Sequence, residues 1–458
     1  MSVSRADFPA DFRWGTATAS YQNEGATEED GRGTSIWDVF SRSHGAINDG
    51  STGDVADDHY HLFREDVAAM ADLGLNSYRF SIAWPRIQPT GSGPANEAGL
   101  DFYRRLAEEL HSRGITPYAT LYHWDLPQAL EDVGGWLVRD TANRFADYSG
   151  LVAERLGDVI GDWITLNEPW CSAFLGYSSG HHAPGKRLGA AAGRAAHHLM
   201  LGHGLGVQAL RAAAPESRVG ITLNLSPTVP VSERAEDVAA AARIDGLSNR
   251  LFLDPILTGS YPDDVVEDLK LGDWLASNPQ DDLATISAPI DFMGINYYNR
   301  ATVGARLEYT EESSTFPTAE PVQFYATTDR RTHMGWPITP DGILDVTRMV
   351  HERRPDLPIA ITENGAAYDD RVTDGEIHDE PRRAFIEAHI DACRRAIAEG
   401  IPLFGYFIWT LMDNWEWAWG YSRRFGIIRV DYATQERTVK DSGKWLAGFL
   451  AGGERKGA

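Results

Sequence analysis

Two glutamates, Glu168 and Glu363, stand in sequence contexts that favour acid–base and nucleophilic chemistry. Each follows a short apolar segment and precedes a residue that favours a turn, in TLNEPW and ITENG. Two carboxyl groups can cleave a glycosidic bond together, one as the protonated acid at the leaving oxygen and the other as the ionised nucleophile. The alternative is that each is an ordinary capped or salt-bridged carboxylate at a strand end. We favour the chemical interpretation for the pair, because buried carboxylates are rare unless they are paired or functional.

The segments around these residues belong to a repeating pattern of an amphipathic helix, a glycine and a short apolar strand. In its first occurrence Phe63, Val67 and Met70 recur at helical spacing and Gly74 follows. Helical periodicity that ends at a glycine marks the carboxyl end of a helix. The pattern predicts helices over residues 58–73, 97–113 and 382–399.

Eight short apolar segments are predicted to be strands. They are FRWGTATAS, LNSYRFSIAW, ITPYATLYHW, DWITLNE, RVGITLNLS, IDFMGINYY, PIAITENG and IPLFGYFIWT. Strands that alternate with helices form parallel βαβ units, and eight of them favour a closed barrel over an open sheet. We therefore predict an α/β fold, a single (β/α)8 TIM barrel with loop insertions at its C-terminal face, over residues 1–450. A disordered tail is predicted for residues 451–458.

Residues whose side chains could take part in catalysis or binding cluster at the carboxyl ends of the predicted strands. They are Gln22, His123, Trp124, Asn167, Glu168, Tyr298, Glu363 and Trp409. Barrel enzymes have their active sites at that end, because eight loops converge there.

Residues 300–336 are polar and lack periodic apolar positions. We predict that they form a long loop over the mouth of the barrel.

Charge and composition exclude several classes of function. Asp and Glu outnumber Lys and Arg by 66 to 42, for a formal charge of −24. A surface this negative repels phosphate backbones and anionic lipids, so neither nucleic acid nor a membrane is an expected partner. The expected partner is a small neutral substrate, and the oligomeric state stays open. The N-terminal residues show no apolar core of a signal peptide, so we expect a cytoplasmic protein.

No metal or other cofactor is predicted. The only cysteines are Cys171 and Cys393, which excludes a disulfide framework and metal sites built from several cysteines. The histidine doublets at 181–182 and 197–198 lack HExxH spacing. His182 is a candidate for the pocket wall, and the second doublet is expected on a helix in a surface or core role.

Several segments, in order along the chain, resemble family 1 glycoside hydrolases, the β-glucosidase family. They are FRWGTATASYQNEGA, YHWDLP, TLNEPW, GYSSGHHAPG, GINYY, ITENG and WTLMDNWEWAWGYSRRFGI. The resemblance runs from about residue 8 to about residue 446. It implies that Glu168 is the acid/base and Glu363 the nucleophile. It also implies catalytic support from Arg79, Asn167 and Tyr298, with Arg79 keeping the nucleophile ionised.

The resemblance further implies a pocket for the sugar that is released. Its expected residues are Gln22, His123, Asn167, Glu416 and Trp417, with Trp409 as a stacking platform and Trp124 and Phe425 as further contacts. Amide, imidazole and carboxylate groups bond sugar hydroxyls, and an indole ring stacks on a pyranose face. On the leaving-group side we expect Trp170, Asn224 and Trp336.

These expectations together predict a retaining, exo-acting β-glucosidase that uses double displacement. Galactosyl and fucosyl residues stay open as alternative sugars. Glu416 would repel a phosphorylated sugar, and Glu168 is present where thioglucosidases lack the acid/base. The competing interpretations are a sugar-binding barrel without activity, which usually lacks one catalytic glutamate, and an endo-xylanase, whose open cleft would not need Glu416 and Trp417.

Overall fold

The computed structural model of the protein describes residues 3–277, 281–306, 315–319 and 321–452, and its centre is a closed barrel of eight strands. In chain order the barrel strands are β1 (Arg13–Ala17), β2 (Ser77–Ser81), β3 (Thr116–Tyr122), β4 (Asp162–Asn167), β5 (Arg218–Asn224), β6 (Phe292–Asn296), β7 (Ile359–Asn364) and β8 (Leu403–Trp409).

Every barrel strand runs parallel to the strands next to it in the sequence. Strand β1 closes the barrel because it pairs with β2 on one side and with β8 on the other, where Trp14 lies opposite Tyr406. Each of the eight predicted strands is present, and the predicted (β/α)8 barrel is confirmed.

The barrel interior is packed with side chains. Gly15 of β1 lies opposite Phe407 of β8, and a Cβ atom at position 15 would lie 2.4 Å from the Phe407 ring. Only glycine therefore leaves room for this ring, which contacts Tyr118 of β3 at a centroid distance of 5.2 Å. Large side chains that fill the barrel make it a rigid base for the loops at its carboxyl end.

Amphipathic helices surround the barrel. The α-helices of eight or more residues are His59–Asp72, Glu97–Ser112, Asp140–Leu156, Gly193–Ala213, Ala235–Asp245, Leu251–Thr258, Gly342–Arg353, Glu380–Ala398 and Asp441–Leu450. Shorter α-helices are Ser20–Asn23, Ile36–Ser41, Trp84–Ile87, Gln128–Glu131, Asp263–Asp268, Gly272–Ala276 and Asp282–Ile286. The 3-10 turns are Arg5–Asp7, Gly135–Leu137, Gly189–Ala192 and Trp417–Ser422, and the π-helical segments are Cys171–Ser179 and Gly246–Arg250.

The three helices predicted from the sequence are observed to within two residues at each end. Helix Glu97–Ser112 illustrates the cause, since it buries Leu100, Tyr103, Leu106 and Leu110 on one face. Gly114 follows it with a φ of +72°, a conformation that costs glycine little.

The prediction of a long loop over residues 300–336 is wrong in part. Strands Ala301–Ala305 and Val322–Phe324 lie in this range and form a three-stranded sheet with Thr228–Pro230. The partner strand lies about 70 residues earlier in the chain, so local periodicity did not reveal the pairing. Residues 307–314 and 320 lie outside the described residues.

Two small antiparallel pairs complete the strands, Val372–Thr373 with Glu376–Ile377 and Ile428–Val430 with Arg437–Val439. The predicted tail begins with a turn at Ala451 and Gly452, and its residues 453–458 lie outside the described part of the chain. Among the described helices, none has the length and the apolar character needed to cross a lipid bilayer.

Candidate active site

A cavity of about 1110 Å³ opens at the carboxyl ends of the barrel strands. The predicted site residues on its wall are His123, Trp124, Glu168, Trp170, Asn224, Tyr298, Trp336, Glu363, Trp409, Glu416, Trp417 and Phe425. The other three, Gln22, Arg79 and Asn167, bond to side chains of this wall. All fifteen predicted positions therefore belong to one site.

Glu363 lies on β7 and is held by a cation and a phenol. Nη1 of Arg79 donates to its Oε1 at 2.6 Å, and the hydroxyl of Tyr298 donates to its Oε2 at 2.7 Å. Burial raises the pKa of Glu363, and Arg79 is the strongest influence in the opposite direction. Burial and the Glu363 charge also hold the pKa of Tyr298 well above its usual value, so this phenol stays a donor. Arg79 and Tyr298 therefore favour the ionised form of Glu363, against the effect of burial.

Glu168 follows directly after β4 and has a different set of partners. Asn296 donates to its Oε1 at 2.6 Å, and the thiol of Cys171 donates to its Oε2 at 3.0 Å. Burial, together with the negative charge of Glu363, raises the pKa of Glu168 to about 7. Glu168 is therefore suited to hold a proton at neutral pH.

Asn167 links the two sides of the site. Its Oδ1 accepts from Nη2 of Arg79 at 2.6 Å, and its Nδ2 donates to Nε2 of His123 at 2.9 Å. Because Nε2 accepts, the proton of the neutral imidazole must sit on Nδ1. Burial and the Arg79 charge hold the pKa of His123 well below its usual value. The buried Nδ1 has no partner among the described residues, so it is free to donate to a ligand.

Gln22 and Glu416 form a second polar group in the wall. Nε2 of Gln22 donates to Oε2 of Glu416 at 3.2 Å, and its own Oε1 is buried without a partner in the described part of the chain. Burial, followed by the charge of Glu363, raises the pKa of Glu416 to about 8. Gln22 Oε1 and the Glu416 carboxyl can therefore bond hydroxyl groups of a ligand.

Aromatic rings enclose these polar groups. Trp124 and Trp417 contact each other at a centroid distance of 4.5 Å, and Trp409 stacks against His123 at 5.9 Å with an angle of 26° between the ring planes. Only 3% of Trp409 is exposed. Flat, apolar surfaces beside convergent polar groups are typical of a pocket for a pyranose ring.

Three residues at the site have left-handed backbone conformations. The φ angles are +75° at Trp124, +45° at Glu168 and +46° at Trp417. Such angles are unfavourable for residues with side chains and persist where the surroundings enforce them. The side chains of all three residues line the cavity.

The residues predicted on the leaving-group side, Trp170, Asn224 and Trp336, line the same cavity. Trp336 contacts Tyr298 at a centroid distance of 5.2 Å, and Trp170 contacts Phe316 at 5.0 Å. His182 also lines the cavity. The doublet at 197–198 lies on helix Gly193–Ala213, is buried, and has core partners.

The two residues that donate hydrogen bonds to Glu168, Asn296 and Cys171, were missed by the sequence analysis. Asn296 bonds Glu168 and also lowers the pKa of Glu363, so its amide serves both carboxyl groups. Its place at the end of β6, in the GINYY segment, is a signal that could have identified it. Cys171 carried no such signal, because a lone buried cysteine is an ordinary core residue.

In the described part of the chain no cluster of three or more His, Cys, Asp and Glu is arranged to hold a metal.

Comparisons with known proteins agree with this geometry. The sequence model of glycosyl hydrolase family 1 matches residues 4–454. Beta-glucosidase A of Thermotoga maritima is 46% identical over 452 residues, which cover 98% of each chain. A bifunctional beta-D-glucosidase/beta-D-fucosidase of Bifidobacterium breve is 47% identical over 97% of this chain and 98% of that protein. The solved structure of the Thermotoga maritima beta-glucosidase in complex with deoxynojirimycin has a TM-score of 0.92 and 45% identity, over 98% of this chain and 99% of that chain.

Proposed function

The chain belongs to glycosyl hydrolase family 1, and we propose a division of roles in its site in which Glu363 attacks the anomeric carbon and Glu168 transfers the proton. The enzyme is a retaining β-glucosidase that removes terminal, non-reducing β-D-glucosyl residues by double displacement. The single observation that carries the assignment of roles is the difference between the partners of these two buried glutamates.

The role of nucleophile for Glu363 is supported by its ion pair with Arg79. Both side chains are nearly fully buried, at 4% and 1% exposed, so water screens the pair little. The guanidinium and the Tyr298 hydroxyl favour the ionised carboxylate that attacks the anomeric carbon. As the new carbon–oxygen bond forms, the proton of Glu168 passes to the glycosidic oxygen and the leaving group departs.

The role of acid and then base for Glu168 is supported by its pKa of about 7. Part of this elevation comes from the negative charge of Glu363, which disappears once Glu363 becomes an ester of the sugar. The pKa of Glu168 therefore falls in the intermediate, and the carboxylate is ready to take a proton from water. That water then attacks the anomeric carbon, releases the sugar in the β configuration and regenerates both glutamates.

The glycone pocket is proposed to consist of Gln22, His123, Asn167, Trp409, Glu416 and Trp417, with Trp124 and Phe425 as further contacts. Among the described residues, Oε1 of Gln22 and Nδ1 of His123 are buried atoms of this pocket without a hydrogen-bond partner. They support the assignment, because a buried polar atom without a partner costs free energy until a ligand supplies one. The donors to Glu416 are the side chains of Gln22 and Trp409, and neither is cationic. A phosphorylated sugar would therefore lack a counter-charge here.

Cellobiose and short cello-oligosaccharides are proposed as natural substrates, with Trp170, Asn224 and Trp336 beside the leaving group. Relatives include proteins named 1,4-beta-D-glucan glucohydrolase, at 45% identity. A β-D-fucoside is a second proposed substrate. The Bifidobacterium breve relative is named for both activities. A D-fucoside differs from a D-galactoside only by the missing hydroxyl on C6, the carbon outside the ring. The cytoplasmic location stays a prediction.

The stereochemistry of the first product tests the mechanism. Proton NMR of freshly released glucose should show the β anomer before it equilibrates, because two inversions at the same carbon retain the configuration. Glu363→Gln should abolish release, whereas Glu376→Gln, at a glutamate whose side chain is 57% exposed, should leave it unchanged. Initial release of the α anomer would contradict the role of Glu363.

A further inference from the structure

The thiol of Cys171 lies against one oxygen of Glu168. Cys171 is the first residue of the π-helical segment Cys171–Ser179, and its backbone N–H donates to the Glu168 carbonyl at 2.9 Å. This turn folds the cysteine side chain back over the glutamate, so that Sγ lies 3.0 Å from Oε2. The two residues are 6% and 5% exposed. The contact is therefore largely protected from bulk water.

The two oxygens of Glu168 have donors of different strength. Oε1 accepts a short amide hydrogen bond from Asn296, and Thr362 holds that amide in place by donating to its Oδ1 at 2.9 Å. Oε2 accepts from a thiol, which is a weak donor. A carboxylic acid carries its proton on one oxygen, and the oxygen that already accepts the stronger bond is the poorer place for it. The acid proton therefore resides on Oε2, beside the thiol.

We propose that Cys171 is a positioning residue for the proton transfer, whose thiol holds Oε2 of Glu168 with a hydrogen bond weak enough to leave the proton affinity of that oxygen high. The inference rests on the proposed role of Glu168. A serine hydroxyl would stabilise the ionised carboxylate more strongly, and an alanine would offer no donor. The pKa of the thiol is itself raised well above its usual value by burial and by Glu168, so Cys171 remains a donor.

Other groups also act on Glu168, and they stay in place when position 171 changes. The charge of Glu363 on β7 raises the pKa of Glu168, and Arg79 on β2 and the Asn296 amide lower it. Besides Glu168, Cys171 and Glu363, the titratable groups on the cavity wall are His44, His123, His181, His182, Arg187, Tyr298, Arg300, Tyr325, Arg331 and Glu416. A difference between serine and alanine at position 171 therefore reports the hydrogen bond from that position.

The test compares Cys171→Ser and Cys171→Ala with the wild-type enzyme and with Cys393→Ala. Cys393 is the other cysteine, is fully buried on helix Glu380–Ala398, and serves as the matched control. The alkaline limb of kcat/KM for 4-nitrophenyl β-D-glucoside reports the pKa of the acid. We expect this limb to move down by about 0.5 pH unit in Cys171→Ser and up by about 0.5 unit in Cys171→Ala, a threefold change in proton affinity each way. Cys393→Ala should leave it in place.

A second comparison uses the leaving group. A dinitrophenolate departs without protonation and the glucose of cellobiose does not. Cys171→Ala should therefore lower kcat/KM for cellobiose about 3–10-fold relative to 2,4-dinitrophenyl β-D-glucoside. The ratio is taken within one variant, so a reduced folded fraction cancels.

A measurement that leaves Cys171 intact covers the case in which its variants do not fold. Cys393→Ala retains a single thiol, since the chain has two cysteines. The Raman S–H stretching band of that thiol should move to lower frequency as the pH rises through about 7, where Glu168 ionises and becomes a better acceptor. An S–H band whose frequency does not change over this pH range would overturn the proposal. The proposal would also be overturned if the alkaline limbs of kcat/KM shifted in the same direction, or did not shift, in both Cys171 variants. A wild-type enzyme without activity on any β-glycoside would instead overturn the proposed function.

Discussion

Removal of the Arg79 charge should move the acid limb of the enzyme's pH profile. Two unit charges about 4 Å apart interact by about 4 kcal/mol at an effective dielectric constant of about 20, which corresponds to about 3 pKa units. Carboxylates beside an arginine are lowered by about 1–3 units, in agreement with this figure. Because Nη1 of Arg79 lies 2.6 Å from Glu363 Oε1 in a buried setting, Arg79→Met should raise the pKa of Glu363 by about 1–3 units.

The sign of the effect follows from the role of Glu363. A nucleophile with a raised pKa is ionised to a smaller extent at low pH, so the acid limb of kcat/KM moves to higher pH. The alkaline limb depends on Glu168, whose pKa is about 7. Arg79 also lowers the pKa of Glu168, but less than the neighbours Cys171 and Asn296 do, so the alkaline limb moves up by less than the acid limb. The two limbs therefore approach each other, and the profile becomes narrower and lower. With 2,4-dinitrophenyl β-D-glucoside, which needs no acid, only the acid limb should remain visible.

Arg79→Lys is the matched control. A lysine keeps the charge beside Glu363 but loses the second arm of the guanidinium, which holds Asn167 at 2.6 Å. Its acid limb should stay near that of the wild type, while its rate falls. If Arg79→Met lowers kcat/KM by the same factor at every pH, Arg79 does not control the ionisation of Glu363 and the electrostatic argument is wrong.

Two further predictions concern the carboxyl groups themselves. Glu363→Ala should lose activity on all substrates, whereas Glu168→Ala should still react with 2,4-dinitrophenyl β-D-glucoside and fail on cellobiose, with general acid–base help worth about 10²–10⁴-fold. Added azide should yield the β-glycosyl azide with Glu168→Ala and the α product with Glu363→Ala, and reversed products would refute the roles. Glu416→Ser should lower turnover of unphosphorylated glucosides at least about tenfold, since sugar hydroxyls lose a buried partner at a cost of about 1–3 kcal/mol, and unchanged steady-state kinetics would contradict the pocket assignment.

Local sequence patterns were sufficient for most of the fold. Helical periodicity that ends at Gly74, Gly114 or Gly400 predicted helices that the structure contains, because the spacing of apolar residues reflects the face that each helix buries. The number and alternation of the strands favoured a closed barrel over an open sheet, and the structure confirms the closure. The sheet of the 301–324 region was missed, because its strands are short and pair with Thr228–Pro230, far away in the sequence.

The same distinction applies to the site. Sequence context selected Glu168 and Glu363, and the family resemblance added the residues that the structure brings around one cavity. The sequence did not reveal that Asn296 donates to one oxygen of the Glu168 carboxyl or that the Cys171 thiol donates to the other.

The sequence by itself therefore determined the type of barrel, the order of its strands and the two candidate carboxylates. Tertiary structure alone decided which donor meets which oxygen, and with it the difference in proton affinity between the two glutamates. Arg79 is separated from Glu363 by 284 positions, and Glu168 from Asn296 by 128. A hydrogen bond requires that its donor and acceptor be placed to within a few tenths of an ångström. Only the closed barrel brings residues so distant in sequence together with that precision.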